Sequence, residues 1–288
     1  MDGDWLEGEV GDFLRSRRAR IQPEEVGLPS HGRRRVPGLR REEVAQLAGV
    51  SVDYYIRLEQ GRGTSVSDAV LDAIARVLRL DETEQAYLRT VARPQHRQHG
   101  RQGQRAVPPR IRPGIQVLLD GMERNPAFVL DPRMNVVAWN AIADALSGFG
   151  RMTPGERSVP RQVFLSPDGR NLYPEWAAVA AQTVAHLRVL SGRYADDPEL
   201  CALVAELSLK SEDFRRLWAD HEVRECAYGV KQVRHPVAGL LTLPYETLTM
   251  PAAPDRTIVV YTPEPGSETA ERLALLGSWK AATAATGH

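Results

Sequence analysis

Residues 41–60 run R-E-E-V-A-Q-L-A-G-V-S-V-D-Y-Y-I-R-L-E-Q, and no other stretch of the chain restricts its local geometry as much. Ala45 leaves room for little more than a methyl group where a second helix crosses the first. Gly49 suits a turn with positive φ, because it has no Cβ to clash there. Val44, Leu47, Ala48, Val50, Tyr55 and Leu58 supply an apolar seam toward the rest of a bundle. Ser51 is a good N-cap, and Gly61 can end the helix it opens. The run therefore predicts two short helices crossing at a tight turn.

The flanks extend this helical pattern. Val10, Phe13 and Leu14 share one helix face, and Val70, Leu71, Ile74 and Leu78 share another. Asp81 followed by Glu84 is a capping pair that opens a further helix through Leu88 and Val91. Residues 27–40, GLPSHGRRRVPGLR, carry too much Gly and Pro for a continuous helix. An all-α domain of five helices over residues 1–92 is expected. Formal net charge is zero, but it is unevenly placed. Residues 15–62 hold eleven arginines against six acids, and residues 93–113 hold six arginines and no acid. The cationic field is thus concentrated in the first part of the chain.

A helix opened by Ser51 in such a domain would enter the major groove of double-stranded DNA with its N-terminal residues toward base edges. Val52, Asp53, Ile56 and Arg57 face outward in that register. Arg57 can bond guanine O6 and N7, Val52 and Ile56 can touch thymine methyls, and Asp53 can accept from cytosine N4 or steer Arg57. Ser51, Arg62 and the run Arg33, Arg34 and Arg35 suit phosphates, which position without reading sequence. Gln60 can do either. Arg40, Arg41 and Tyr54 complete the expected DNA-binding set, although Tyr54 and Tyr55 read more readily as packing residues. Two such helices related by a twofold axis would read a palindrome with half-sites about 34 Å apart, so a homodimer is expected.

Residues 93–113, RPQHRQHGRQGQRAVPPRIRP, have almost no apolar anchor and read as a basic linker adding salt-dependent, unspecific affinity. Residues 114–288 then form a second domain. Ile115, Leu118, Leu119 and Met122 suggest a helix. Phe128–Leu130 and Val136–Trp139 are short β runs around the turn Asp131-Pro132-Arg133-Met134-Asn135. Helical spacing returns at 176–190, 198–209 and 214–221, with Pro198 at a first helical position and Ser211 as a cap. Strands are expected at 230–233, 240–250 and 257–261, before a closing helix from Glu268 to about Trp279. The order fits an α+β domain with an antiparallel sheet better than alternating βαβ units.

These segments resemble a known family. Residues 34–62, RRVPGLRREEVAQLAGVSVDYYIRLEQGR, are similar to the xenobiotic-response-element (XRE) class of helix-turn-helix regulators. PAFVLDPRMNVVAWNAIA (126–143), DDPELCALVAELSLKSEDFRRLWADHEV (196–223) and HPVAGLLTLPYETLTM (235–250) resemble the MmyB-like ligand-binding domain, of PAS-like fold. The chain departs from that pattern at residues 158–176. The resemblance implies a transcriptional regulator, usually dimeric, whose second domain has an apolar pocket for a fatty-acid-like ligand. Trp139, Trp176, Phe214, Trp218 and Tyr245 are the aromatics available to line it, and each can equally well fill a core. A carboxylate would need a cation at the pocket mouth. Arg215, Arg216, His221, Arg224, Arg234 and His235 are the candidates, and His221, Arg224 and His235 join the five aromatics in the expected ligand-binding set.

The chain shows no G-x-S-x-G, HExxH, P-loop or G-x-G-x-x-G, and His186, His221 and His235 are irregularly spaced for a metal. No enzyme, metal or cofactor is expected. A haem or flavin redox sensor, as on PAS folds of other families, and a dimerisation or partner-docking module are the alternatives for the second domain. Cys201 and Cys226 have no CxxC spacing and read as small, buried, reduced side chains. The longest apolar stretches fall far short of the roughly 20 residues needed to cross a bilayer, and the start MDGDWLEGEVGDF lacks a signal-peptide pattern. A cytoplasmic protein without membrane contact is expected.

Overall fold

The structure is a computed structural model in which residues 4–29, 38–62, 66–93 and 111–285 are described. The run Arg33, Arg34 and Arg35 and most of the expected linker, residues 94–110, lie outside them. Contacts divide the chain into two units, one of Met1–Arg105, Arg188–Asp197 and Trp218–Glu225, the other of Ala106–Leu187, Pro198–Leu217 and Cys226–His288.

The first unit is helical, and its helices begin where the sequence offers a cap. α1 spans Asp4–Arg20, and a 3-10 turn at Pro23–Val26 ends on Gly27. α2 spans Arg41–Ala48, α3 Val52–Glu59, α4 Asp68–Val77 and α5 Glu82–Ala92. The Ser51 hydroxyl accepts from the Tyr54 N–H at 3.1 Å. Asp81 accepts from the Glu84 N–H at 2.8 Å while Glu84 accepts from the Asp81 N–H at 3.1 Å, a reciprocal cap. Gly49 joins α2 to α3 at φ 68°, the conformation its missing Cβ permits. Val10, Phe13, Leu14, Val44, Ala45, Tyr55, Leu58, Leu71, Ile74 and Leu88 form the core. Leu47 departs from the expected seam. It sits on the flank of α2 and is 38% exposed, because Val44, Ala45 and Ala48 already turn the inner face.

The unit also takes in residues 188–197 and 218–225, which fall within the span the sequence suggests for the second domain. Val189 and Val223 join its apolar core.

The second unit is α+β, as expected. α6 spans Pro113–Asp120, β1 Ala127–Leu130, β2 Val136–Trp139 and α7 Ala141–Ser147. Short helices α8 (Val159–Phe164) and α9 (Gly169–Leu172) precede α10 (Trp176–Arg193), α11 (Pro198–Lys210) and α12 (Glu212–Ala219). β3 (Tyr228–His235), β4 (Gly239–Met250), β5 (Ala253–Tyr261) and α13 (Glu268–Ala285) complete it. The five strands are antiparallel in the order β2-β1-β5-β4-β3. One sheet face packs Phe128, Leu241, Leu243, Tyr245, Val259 and Tyr261 against α7 and α13, while Val129, Ile258 and Val260 on the other meet Leu119 of α6. Asn140 ties the α6, β1 and α7 region together. Its Oδ1 accepts from the N–H groups of Ala127 and Ala143, and its Nδ2 donates to the carbonyls of Leu119, Met122 and Asn125. The turn after β1 is held by Asp131, whose Oδ1 accepts from the N–H groups of Arg133 and Asn135. Cys201, within α11, and Cys226, just before β3, are half-buried rather than buried, and the Cys226 thiol lies 3.8 Å from the Gln182 carbonyl.

α1 and α3 approach so closely that a Cβ on Gly11 would lie 2.1 Å from the Glu59 carbonyl oxygen. Gly11→Ala is expected to lower the stability of the first unit by at least the 1–3 kcal/mol (roughly) of an overpacked core, because backbone cannot swing aside as a side chain can. Chemical denaturation followed by circular dichroism checks this, and an unchanged midpoint would contradict the close approach.

Candidate functional site

α3 has two unlike sides. Val52, Asp53 and Arg57 are exposed and Ile56 is half-buried, so the four residues expected to read bases form the outer row. Tyr55, Leu58 and Glu59 form the inner one. Arg57 lies near the Asp53 backbone carbonyl, with Nε at 3.4 Å, so Asp53 steers it through its main chain and not through its carboxylate. Ser51 is exposed, but its oxygen is engaged in the cap. Gln60 and Arg62 are exposed at the far end of the helix, and Tyr54 is half-buried. Arg40 is exposed, and its N–H donates to Glu43 at 2.6 Å.

The inner row holds the feature that charge alone concealed. The Glu59 side chain is fully buried, and one of its oxygens accepts from Arg18 of α1 at 3.2 Å and from Arg41 of α2 at 3.0 Å. Arg15 lies 3.9 Å from the same oxygen. Burial and the adjacent carboxylate push the Tyr55 hydroxyl well above the ordinary tyrosine range, so it stays neutral. Arg41, expected to meet DNA, is thus first a partner of Glu59 and remains about two-fifths exposed. Above the pair opens a cleft of about 350 Å³ edged by Asp12, Arg15, Arg41, Gln60 and Arg62. A helical spacing of four from Tyr55 is the signal that would have placed Glu59 inward.

A second buried ionic cluster lies on the other side of α1. Arg188 is fully buried and pairs with Glu9, which also accepts from the Tyr87 hydroxyl at 2.5 Å. The Arg188 guanidinium lies over the Trp218 ring, 4.1 Å from its centroid, and donates to the Trp218 carbonyl. Arg17, buried beside Phe13, pairs with Glu84 at 2.6 Å and donates to the His221 carbonyl at 2.8 Å.

This placement divides the expected ligand-binding set. Trp218, His221 and Arg224 belong to the first unit, Trp218 as a lid on Arg188. Trp176 and Phe214 meet around Phe164, with ring centroids 5.9 and 5.2 Å from it. The Trp176 indole N–H donates to the Val163 carbonyl at 2.9 Å, and Arg170 covers its face. Trp139 and Tyr245 lie on one face of the sheet in a single apolar cluster. His235 closes the β3–β4 turn: its Nδ1 accepts from the N–H groups of Val237 and Ala238. That role needs a neutral ring, and burial lowers its pKa accordingly. Of the other expected cations, Arg215 donates to the Ser208 carbonyl and Arg216 pairs with Asp213, while Arg234 is exposed. Lys231, outside the expected set, is half-buried on the same side of β3 as Val233.

A helix-turn-helix head and an α+β body with an aromatic sheet face define a DNA-binding regulator that carries a ligand-binding domain. Residues 111–276 match the MmyB-like transcription regulator ligand binding domain, and residues 9–88 match a helix-turn-helix domain. The chain belongs to the MmyB-like transcription regulator family. No curated protein gave a significant match. No described helix is long and apolar enough to cross a membrane.

Glu59→Ala is expected to destabilise the first unit by about 3–5 kcal/mol, since it leaves the Arg18 guanidinium buried without its acid. The double variant Glu59→Leu with Arg18→Met should recover most of this. Urea titrations of the three proteins provide the check, and a double variant no more stable than Glu59→Ala would remove the ionic explanation.

Proposed function

We propose that the protein is a sequence-specific transcription regulator that binds a palindromic operator as a homodimer, and that a small apolar, fatty-acid-like ligand of the second domain sets its DNA affinity. The outer row of α3 carries this reading: Val52, Asp53, Ile56 and Arg57 project from a helix whose inner row is locked by Glu59. Arg57 reads a guanine. Arg40, Arg62 and the run Arg33, Arg34 and Arg35 contact phosphates. The reading includes no catalytic step, metal or cofactor, and the ligand acts by preferring one arrangement of the paired reading heads, since equal affinity for both would shift nothing.

Arg57→Ala is expected to weaken operator binding by about 1–3 kcal/mol and to relax preference at one base pair, whereas Arg62→Ala should weaken all sequences alike. Titrations against cognate and random duplexes separate the two, and an equal loss on both for Arg57→Ala would sink the base-reading role.

Dimerisation through the second domain is supported by the sheet face that α6 leaves uncovered. Tyr228, Val230, Leu240 and Leu248 are exposed there at 76%, 57%, 45% and 49%. Contiguous exposed apolar surface of this kind marks interaction sites. Glu246 stands opposite Tyr228 and Arg234 opposite Leu240, so the patch carries an acid toward one end and a base toward the other. Light scattering should give a dimer at micromolar concentration and a monomer for Leu248→Glu. A wild-type monomer, both free and on DNA, would contradict the reading.

A further inference from the structure

α6 is apolar on two sides. Gln116 and Asp120 are the only polar side chains of its sequence PGIQVLLD, and both lie along one edge, where the Gln116 amide donates to Asp120 at 2.9 Å and to the Trp139 carbonyl at 3.1 Å. Leu119 is fully buried against Val129, Ile258 and Val260 of the sheet. With a period of 3.6 residues, Gly114, Val117, Leu118 and Gly121 turn away from that contact. All four are exposed, Val117 at 71% and Leu118 at 49%. The outward face of a surface helix normally carries polar residues, and a helix that is apolar all round is a buried one.

The sheet on that side is only half covered. α6 packs over Ala138 of β2, Val129 of β1 and Ile258 and Val260 of β5. Leu248, the register partner of Ile258, opens an exposed strip that takes in Val230, Tyr228 and Leu240 of β3 and β4, with Glu246 at the Tyr228 end and Arg234 at the Leu240 end. An apolar ridge therefore stands beside an apolar strip. Within one copy the two do not meet, because Leu119 and the Asn140 amide, which donates to the Leu119 carbonyl at 3.2 Å, fix α6 on its own half. In a second copy related by a twofold axis they meet twice, ridge on strip and strip on ridge, which is the self-complementary pattern of an isologous interface. Charge and length suit the same pairing. Exposed Arg112 marks the N-terminal end of α6, where the helix dipole is also positive, and exposed Asp120 marks the other end. The eight residues of α6 extend about 12 Å and the strand from Tyr228 to Arg234 about 20 Å, so the ridge fits within the strip.

We propose that two copies of the chain exchange these surfaces: α6 of each packs Val117 and Leu118 onto the partner's Leu248, Val230 and Tyr228, with Arg112 toward the partner's Glu246 and Asp120 toward the partner's Arg234. The inference rests on the reading of the protein as a dimer through its second domain, and it names the element that fills the open half of the sheet. A standard interface takes about 800 Å² from each partner. Two reciprocal contacts share that requirement, so neither patch need be large.

The test uses the full chain. Light scattering at micromolar concentration should give a dimer for wild type and a monomer for Val117→Glu, with a melting curve like that of wild type because the position is exposed. Cross-linking with a short bismaleimide then reports the geometry. A mixture of Val117→Cys and Val230→Cys chains should give a covalent dimer, while each variant alone should give no more than wild type, whose Cys201 and Cys226 set the background. Should Val117→Glu not fold, the mixed cross-link decides alone. A dimeric Val117→Glu, with Val230→Cys cross-linking to itself and not to Val117→Cys, overturns the ridge and leaves the open sheet face as the dimer contact. A wild-type monomer, or dimers that survive both Val117→Glu and Leu248→Glu, overturns the second-domain dimer and the ridge with it.

Discussion

The buried carboxylate of Glu59 is the interaction on which the reading head depends. An eight-residue helix has too little intrinsic stability to hold one orientation by itself. Here the last turn of α3 is tied to α1 through Arg18 and to α2 through Arg41, so three helices share one oxygen atom. Gly11 permits the same approach from the backbone side, bringing α1 against the Glu59 carbonyl. An ion pair this deep adds little to stability over an apolar substitute, but it tolerates few alternative arrangements. Rigid presentation of Val52, Asp53, Ile56 and Arg57 follows from that intolerance.

The buried cations of the first unit have one property in common. Arg17, Arg18 and Arg188 each have an acid, Glu84, Glu59 and Glu9 respectively, and those pairs are structural. In the second unit Lys231 is half-buried, with its ammonium 5.2 Å from the centroid of the Tyr245 ring. Low dielectric strengthens a satisfied charge, and the arginine pairs fasten the head.

Local chemistry made much of this legible in the sequence. Gly49, Ser51 and the Asp81–Glu84 pair specify caps and a turn within a few residues, and the structure has them where they were expected. The three long strands and the helices at 176–193 and 198–210 carry enough periodic residues to be read directly. The helices α7, α8 and α9 do not, being too short to show a period. Glu59 and Arg188 were obscured because charged residues usually face water. Their spacing of four from Tyr55 and Val184 held the contrary signal. Which unit Trp218 and His221 join depends on contacts distant in sequence, and no local pattern reports that.

Arg188 has a consequence for how such proteins diversify. The stretches matching the two families, 9–88 and 111–276, look like interchangeable modules, and Arg188 lies in the second of them while its acid, Glu9, lies in the first. Recombination in the stretch between them would pair a head bearing Glu9 and Tyr87 with a body lacking their guanidinium, or strand the guanidinium in an apolar setting. Exchange of one matched stretch without the other leaves this ionic cluster whole only where both of its ends are retained.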